Sequence, residues 1–276
     1  MTDRTDAPRP GRVLIIAGSD SGGAAGIQAD IKSVTANGGF AMTAVTAITV
    51  QDTTAVHGVW PVPVDAVIGQ MTVVLRDLGA DQIKTGMLGT AHLVEAVAET
   101  LDAEAKDIGR VIDPVMVASS GARLMDDQAI GAIKSDLIPQ AALVTPNAIE
   151  AEILTGKAVE NVDGQRRAAE ALLELGAKAA LVKGGHVEGD VMTDVLQSTD
   201  GEWMFENRRL DTKATHGTGC TLASSTAALL AQHIALPEAV ERAVDYLQGA
   251  IKNAPNYGSG HGPVDHGWRI RNAGSE

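Results

Sequence analysis

The run Thr215-His216-Gly217-Thr218-Gly219-Cys220 places two glycines and a thiol directly before the small-residue apolar stretch Thr221 to Ala231. Glycines let a backbone turn tightly and expose its N–H groups at the start of a helix. There the unpaired donors and the positive end of the macrodipole favour a phosphate or another developing negative charge. The same field would lower the pKa of the Cys220 thiol, which suits a general base. A covalent nucleophile is not implied, because no cysteine-protease arrangement surrounds it. The residues serve equally well as a plain turn before a packed helix with an inert buried thiol, so the neighbouring elements decide between the two readings.

Other polar residues stand where a strand gives way to a loop. In Lys183-Gly184-Gly185-His186 the ammonium can supply a point charge to phosphate while the glycines allow close approach. Asp113 can hold a magnesium-bound water, and Asn147-Ala148-Ile149-Glu150 sets a second carboxylate one helical turn past a strand end. That spacing is also the one expected of a helix N-cap with a reciprocal acid, and the two roles can coexist. Gln51 offers an amide donor and acceptor that match adjacent ring-nitrogen and amino groups of an aminopyrimidine. Met87 suits the face of an aromatic ring, although core packing is its commoner use. Asp30, on the helix after the first loop, reads from spacing alone as a solvated charge.

The elements that must position these groups alternate. Strands are predicted near Val13 to Ala17, Ala44 to Val50, Gln82 to Thr85, Val111 to Asp113, Leu143 to Thr145 and Ala179 to Lys183. Helical patterns run through Ile27, Ile31 and Val34, then over Val64 to Leu78, Ala91 to Ala105, Asp126 to Leu137, Asn147 to Leu154 and Gln165 to Leu175. Such alternation predicts a mainly parallel sheet with helices on both faces, and ligands gather outside the carboxyl ends of such strands. Gly18, Asp20, Gln51, Gly86, Met87, Asp113, Asn147 and Lys183 all fall at those ends. Val191 to Gln197 and Glu202 to Leu210, split by an Asp-Gly turn, predict an antiparallel edge hairpin. Two final helices are expected near Gly219 to Gln232 and Leu236 to Asn253. No linker-like shift divides the chain, so residues 1–11 are expected to be a flexible start and 12–276 a single domain.

Composition narrows the partners. A net charge of -13 and an aromatic content of 3% argue against nucleic acid and anionic membranes. One cysteine excludes an internal disulfide, and the polar start of the chain has no apolar signal region, so a cytoplasmic protein is expected. The opening loop lacks the G-x-G-x-x-G order, no Walker sequence occurs, and no histidine spacing suggests zinc.

Gly18-Ser19-Asp20-Ser21-Gly22-Gly23, Gly26-Ile27-Gln28-Ala29-Asp30-Ile31-Lys32, Lys84-Thr85-Gly86-Met87-Leu88, Lys183-Gly184-Gly185-His186, His216-Gly217-Thr218-Gly219-Cys220 and the terminal Gly262-Pro263-Val264 follow one another in order. As a set they closely resemble the hydroxymethylpyrimidine/phosphomethylpyrimidine kinases of thiamine biosynthesis, over nearly the whole chain. The resemblance implies a ribokinase-like three-layer α/β sandwich and ATP-dependent phosphorylation of 4-amino-5-hydroxymethyl-2-methylpyrimidine, then of its monophosphate, in one site. It implies that Gly18, Asp30, Gln51 and Met87 line the pyrimidine pocket. It also implies that Lys183, Thr218 and Gly219 meet ATP, and that Asp113, Asn147 and Glu150 organise Mg2+ mainly through waters. Gly217 to Cys220 would surround the transferred phosphoryl group, with Cys220 as candidate base, and a homodimer is the family expectation. Ala24 and Asp52 depart from the family's usual glycine and asparagine, and a carboxylate at Asp52 would oppose a phosphorylated substrate only if it faced the pocket. Two alternatives stay open: a pyridoxal-type vitamin kinase and a noncatalytic pyrimidine-binding sensor. The Gln51 amide favours the aminopyrimidine, and Lys183, Asp113 and Cys220 together favour catalysis.

Overall fold

The computed structural model describes residues 9–117, 121, 123–185 and 189–273. Most of the expected flexible start, and His186, lie outside the described residues. The strands are β1 (Arg12–Ala17), β2 (Phe40–Val45), β3 (Ala47–Gln51), β4 (Val56–Pro61), β5 (Gln82–Thr85), β6 (Gly109–Ile112), β7 (Leu143–Val144), β8 (Ala179–Val182), β9 (Val191–Ser198) and β10 (Gly201–Arg208). Eight of them form one sheet in the order β10-β9-β8-β7-β6-β5-β1-β2. The run from β2 to β8 is parallel, and β9 and β10 close that end antiparallel, as the sequence predicts.

Helices cover both faces because consecutive residues of each central strand point to opposite sides and both sides are apolar. Leu14, Ile16, Ile83, Ile112 and Val144 face one core, which is filled from α2 (Val64–Asp77), α3 (Ala91–Glu104), α4 (Asp127–Ala132), α5 (Ala148–Thr155) and α6 (Val162–Glu174). Val13, Ile15, Val111, Leu143 and Leu181 face the other, beneath α1 (Gly26–Ala36), α7 (Thr218–Leu230) and α8 (Leu236–Lys252). Every residue of α7 from Thr221 to Leu229 is buried. Its alanines, serines and threonines let the helix lie close to both α1 and the sheet. A last helix, α9 (Trp268–Ala273), was not expected from the sequence; Trp268 Nε1 ties it to the Tyr246 carbonyl at 3.1 Å.

Two elements differ from expectation. The single strand predicted over Ala44 to Val50 is broken at Thr46, whose hydroxyl donates to the Met87 carbonyl at 2.7 Å. Beyond it β3 leaves the main sheet and pairs antiparallel with β4, with a bulge between Val50 and Gln51 that re-aims the Gln51 side chain. The helix expected over Asp126 to Leu137 stays α-helical only to Ala132. It widens into a π turn at Ile133–Leu137 and stops in a 3-10 turn at Ile138–Gln140, because Pro139 cannot donate the backbone bond a further α turn needs.

Candidate active site

A cavity of about 600 Å³ opens at the carboxyl edge of the parallel strands. It collects groups from just past β1, β5, β6, β7 and β8, together with the start of α7. The cradle is built by backbone. Gly217 caps α7 in the left-handed region (φ 79°), and no side chain caps the helix. A Cβ at Gly217 would stand 1.8 Å from the Ala24 carbonyl oxygen, so only glycine lets the two loops meet. A Cβ at Gly219 would lie 3.2 Å from Lys183 Nζ and 3.9 Å from both Asp113 oxygens, so the cation and the carboxylate look directly onto the first turn of α7.

Lys183 is carried there by an extension of the β7–β8 ladder: it pairs with Asn147, and its N–H bonds the Pro146 carbonyl at 2.9 Å. Its ammonium stands 3.4 Å from Asp113 Oδ1. Burial works against that charge, yet the carboxylates of Asp113 and Glu150 outweigh it and hold the Lys183 pKa above its ordinary value. Asn147 and Glu150 form a reciprocal capping box at the start of α5, with bonds of 2.9 and 2.8 Å. Burial pushes the Glu150 carboxyl up to about 7, opposed by Lys183. The spacing of these two residues is thus accounted for by capping, while both still line the cavity.

Among the described residues, no three acidic, histidine or cysteine side chains converge tightly enough to hold a metal by themselves. Asp113 Oδ2 is nevertheless buried without a hydrogen-bond partner. One or two carboxylates beside phosphates are the usual protein share of a magnesium site, with water supplying the rest, so these residues fit that ion.

Beneath the floor lies a charge cluster that sequence reasoning missed. Lys84 Nζ, fully buried on β5, is 2.9 Å from Asp30 Oδ1 and 3.8 Å from Asp113 Oδ2. Although burial opposes it, Asp30, Cys220 and Asp113 keep the Lys84 ammonium charged. The signal available was a lysine inside a strand of the parallel sheet, a charge that is buried only when it is paired. Asp30 therefore corrects both expectations held for it. It is neither solvated nor a wall of the cavity, but is wholly buried and also accepts from the Ser224 hydroxyl at 2.7 Å, which locks α1 to α7.

Cys220 does line the cavity. Its thiol is pushed up to about 12 by burial, against the pull of Lys84 and a bond from the Gly26 N–H. The expected lowering by the helix terminus is thus outweighed by desolvation. On the opposite wall, Met87 lies over Gly18, and Gln51 projects from β3. Gln51 touches His216, a residue the sequence reading left without a role, which in turn touches Asp20. Asp52 is exposed on the β3–β4 turn, held by Thr54 and His57, and does not line the cavity.

A largely parallel sheet covered on both faces, an antiparallel edge, a two-stranded flap reaching over the strand ends and an anion cradle opposite a lysine define the ribokinase-like class of phosphotransferases. The family model for phosphomethylpyrimidine kinase matches residues 20–265. A hydroxymethylpyrimidine/phosphomethylpyrimidine kinase of Streptomyces coelicolor is 44% identical over 98% of this chain and 99% of its own. Among solved structures, the pyridoxal kinase of Staphylococcus aureus in complex with AMP-PCP and pyridoxal superposes with a TM-score of 0.87 at 33% identity, covering 95% of each chain. The phosphomethylpyrimidine kinase of Clostridium difficile gives 0.78 at 36% identity, over 87% of this chain and 99% of that one. The chain belongs to the phosphomethylpyrimidine kinase family.

Proposed function

We propose that the chain, acting as one domain over residues 12–276, phosphorylates 4-amino-5-hydroxymethyl-2-methylpyrimidine with ATP and then phosphorylates the monophosphate to the diphosphate. The observation that carries this reading is the meeting, in one cavity, of an uncapped helix start faced by Lys183 with a wall made of Met87 and Gln51. The first pair of features suits a phosphoryl group in flight, the second the face and edge of a small aminated ring.

In this reading the ring lies against Met87 and over Gly18, with its amino edge on Gln51 and its hydroxymethyl turned toward Cys220. Lys183 and the N–H groups of Gly217 to Cys220 hold the transferred phosphoryl group while its bond to ADP breaks and the hydroxyl oxygen takes its place. Positioning and fixed positive charge supply most of the rate, as phosphoryl transfer demands. Cys220 receives the hydroxyl proton late. It does so as the thiolate, which the Lys84 ammonium favours against the burial that raises the thiol pKa. Bound magnesium would neutralise phosphate charge, with Asp113, Asn147 and Glu150 holding its waters.

Assembly as a homodimer is supported by the flap, whose outer face exposes Ile48, Val50 and Trp60 side by side. Sedimentation of the wild type against Trp60→Lys should show a dimer and a monomer respectively.

Magnesium-ATP turnover on the hydroxymethylpyrimidine and on pyridoxal, compared in parallel with products weighed by mass spectrometry, tests the activity. Pyrimidine diphosphate is the expected product. Pyridoxal phosphate alone would move the chain to the vitamin-kinase function that its structural likeness to the Staphylococcus aureus enzyme also allows. Binding without any phosphorylated product would make it a sensor.

A further inference from the structure

Asp113 is a buried carboxylate with two cations near it and a short bond to neither. Its Oδ1 stands 3.4 Å from Lys183 Nζ and its Oδ2 3.8 Å from Lys84 Nζ. Both distances exceed the roughly 2.7–2.9 Å of a charge-assisted N–H to carboxylate bond. The Thr145 hydroxyl reaches Oδ1 at 3.3 Å, and Oδ2 has no hydrogen-bond partner among the described residues. With 2% of its side chain exposed, Asp113 gains little compensation from water. Its charge is balanced by the two lysines together, one beside each oxygen.

The two lysines are held differently. Lys84 is wholly buried in β5 and donates to Asp30 Oδ1 at 2.9 Å, and the same oxygen accepts from Ser224 of α7 at 2.7 Å. A Cβ at Gly86 would lie 3.0 Å from Lys84 Nζ, so the loop that walls the cavity packs directly against the ammonium. Lys183, at 13% exposure, ends in the cavity and faces the first turn of α7. Asp113 and Glu150 are the carboxylates that act on its charge, and Glu150 has a partner of its own in the Asn147 N–H. A lysine carries a compact charge on a flexible stem, so the Lys183 ammonium can turn from Asp113 to a phosphate. The enclosed Lys84 ammonium stays where it is.

A cation that leaves a buried carboxylate ordinarily leaves an uncompensated charge behind, and that cost opposes the move. Here a second cation already stands beside the other oxygen. We propose that Lys84 is a positioning residue acting through Asp113: it is the standing counter-ion of that carboxylate, and it thereby releases Lys183 to the phosphates of the nucleotide. Asp30 offsets the Lys84 charge, so the pair adds no net charge beneath the cavity.

The inference rests on the reading of Lys183 as the phosphate-binding cation. It goes beyond that reading in giving a role to a side chain that does not line the cavity. A plain structural tie between β5, α1 and α7 would need the Lys84–Asp30 pair equally, but it would have no need of Asp113.

The test is a double-mutant cycle read by binding. Lys84→Met/Asp30→Asn removes the pair without changing the formal charge of the chain and keeps an oxygen for Ser224; it is made in the wild type and in Asp113→Asn. Calorimetry measures affinity for ATP without magnesium, because an ion held beside Asp113 would itself compensate the carboxylate. In the wild-type background, removing the pair should weaken ATP binding by about tenfold, as loss of one hydrogen bond to a charged group would. In Asp113→Asn, where no anion is left behind, the same removal should change affinity by less than about twofold. An equal loss in both backgrounds, or none in the wild-type background, overturns the positioning role. Lys183→Ala separates the two levels of the reading: ATP affinity unchanged in that variant overturns the phosphate role of Lys183 and the inference with it, whereas a loss there beside an additive cycle overturns the inference alone. Where the pair-removed form does not fold, a crystal structure of the wild type with magnesium-free ATP decides. Lys183 Nζ should lie more than about 4 Å from Asp113, the limit of an ion pair, with Lys84 Nζ still within it. Lys183 retained on Asp113, or Lys84 drawn away from it, overturns the proposal.

Discussion

At the scale of single residues, the site owes its character to which charges have been taken out of water. Lys84 is enclosed with Asp30 and Asp113, and Cys220 also acts on its charge. Such a buried cation matters most when a partner is removed, since the uncompensated charge then costs about 3–5 kcal/mol. Its charge also pulls against the burial that holds the Cys220 thiol at about 12. Cys220→Ala should therefore lower kcat by about 10²- to 10⁴-fold, the usual share of a general base, and leave aminopyrimidine affinity close to wild type. Steady-state kinetics beside calorimetric binding check both halves of that expectation. A kcat within a few-fold of wild type would remove Cys220 from proton transfer and leave it a wall of the pocket. The motif reading located the thiol but misjudged its state, because a helix terminus is visible in a sequence and the burial that raises the thiol pKa is not.

At the scale of elements, the two glycines at the start of α7 meet different neighbours. Gly217 permits the loop crossing against Ala24, so Gly217→Ala should destabilise the fold by more than about 1 kcal/mol, a loss visible as a lowered denaturation midpoint. At Gly219 the added methyl would crowd only Lys183 and the Asp113 carboxylate. Gly219→Ala should keep a near wild-type midpoint yet raise KM for ATP and lower kcat. If both variants lose stability alike, the cradle is a packing turn and not a phosphate site. The sequence conveyed most of this architecture. Strands β1, β7 and β8 are apolar runs buried on both faces, and the Asn147–Glu150 spacing announced its capping box. It did not convey that Thr46 would redirect the chain, because that break is made by a hydrogen bond to Met87, distant in sequence. Nor did it place Asp30, since helical spacing says which residues share a face but not that Lys84 waits beneath one of them.

At the scale of the whole molecule, the terminal loop joins the two ends of the argument. His266 is buried against Thr221 at 3.0 Å, and its backbone carbonyl accepts from the Tyr246 hydroxyl at 2.7 Å, so α7, α8 and the chain terminus share one buried junction. Burial, aided by Lys32, depresses the His266 pKa to about 4. The unfolded chain, with a histidine pKa near 6.5, then binds the proton more readily than the folded one. Stability is present above about pH 6.5 and is lost as pH falls toward 4, by up to about 3 kcal/mol. Denaturation midpoints of the wild type and of His266→Gln should diverge at neutral pH and converge at the acid end of that window. Parallel curves would mean that His266 takes up its proton over the same pH range in the folded and unfolded chains.

The sequence contains a single cysteine, and it lines this cavity. A thiol-directed reagent therefore reports on this cavity alone, reacting slowly because burial keeps the thiol protonated, with no other sulfhydryl to block or mutate away. The native chain is its own single-site sensor, and the rate at which a labelling reagent is excluded measures occupancy by nucleotide and pyrimidine in separate experiments.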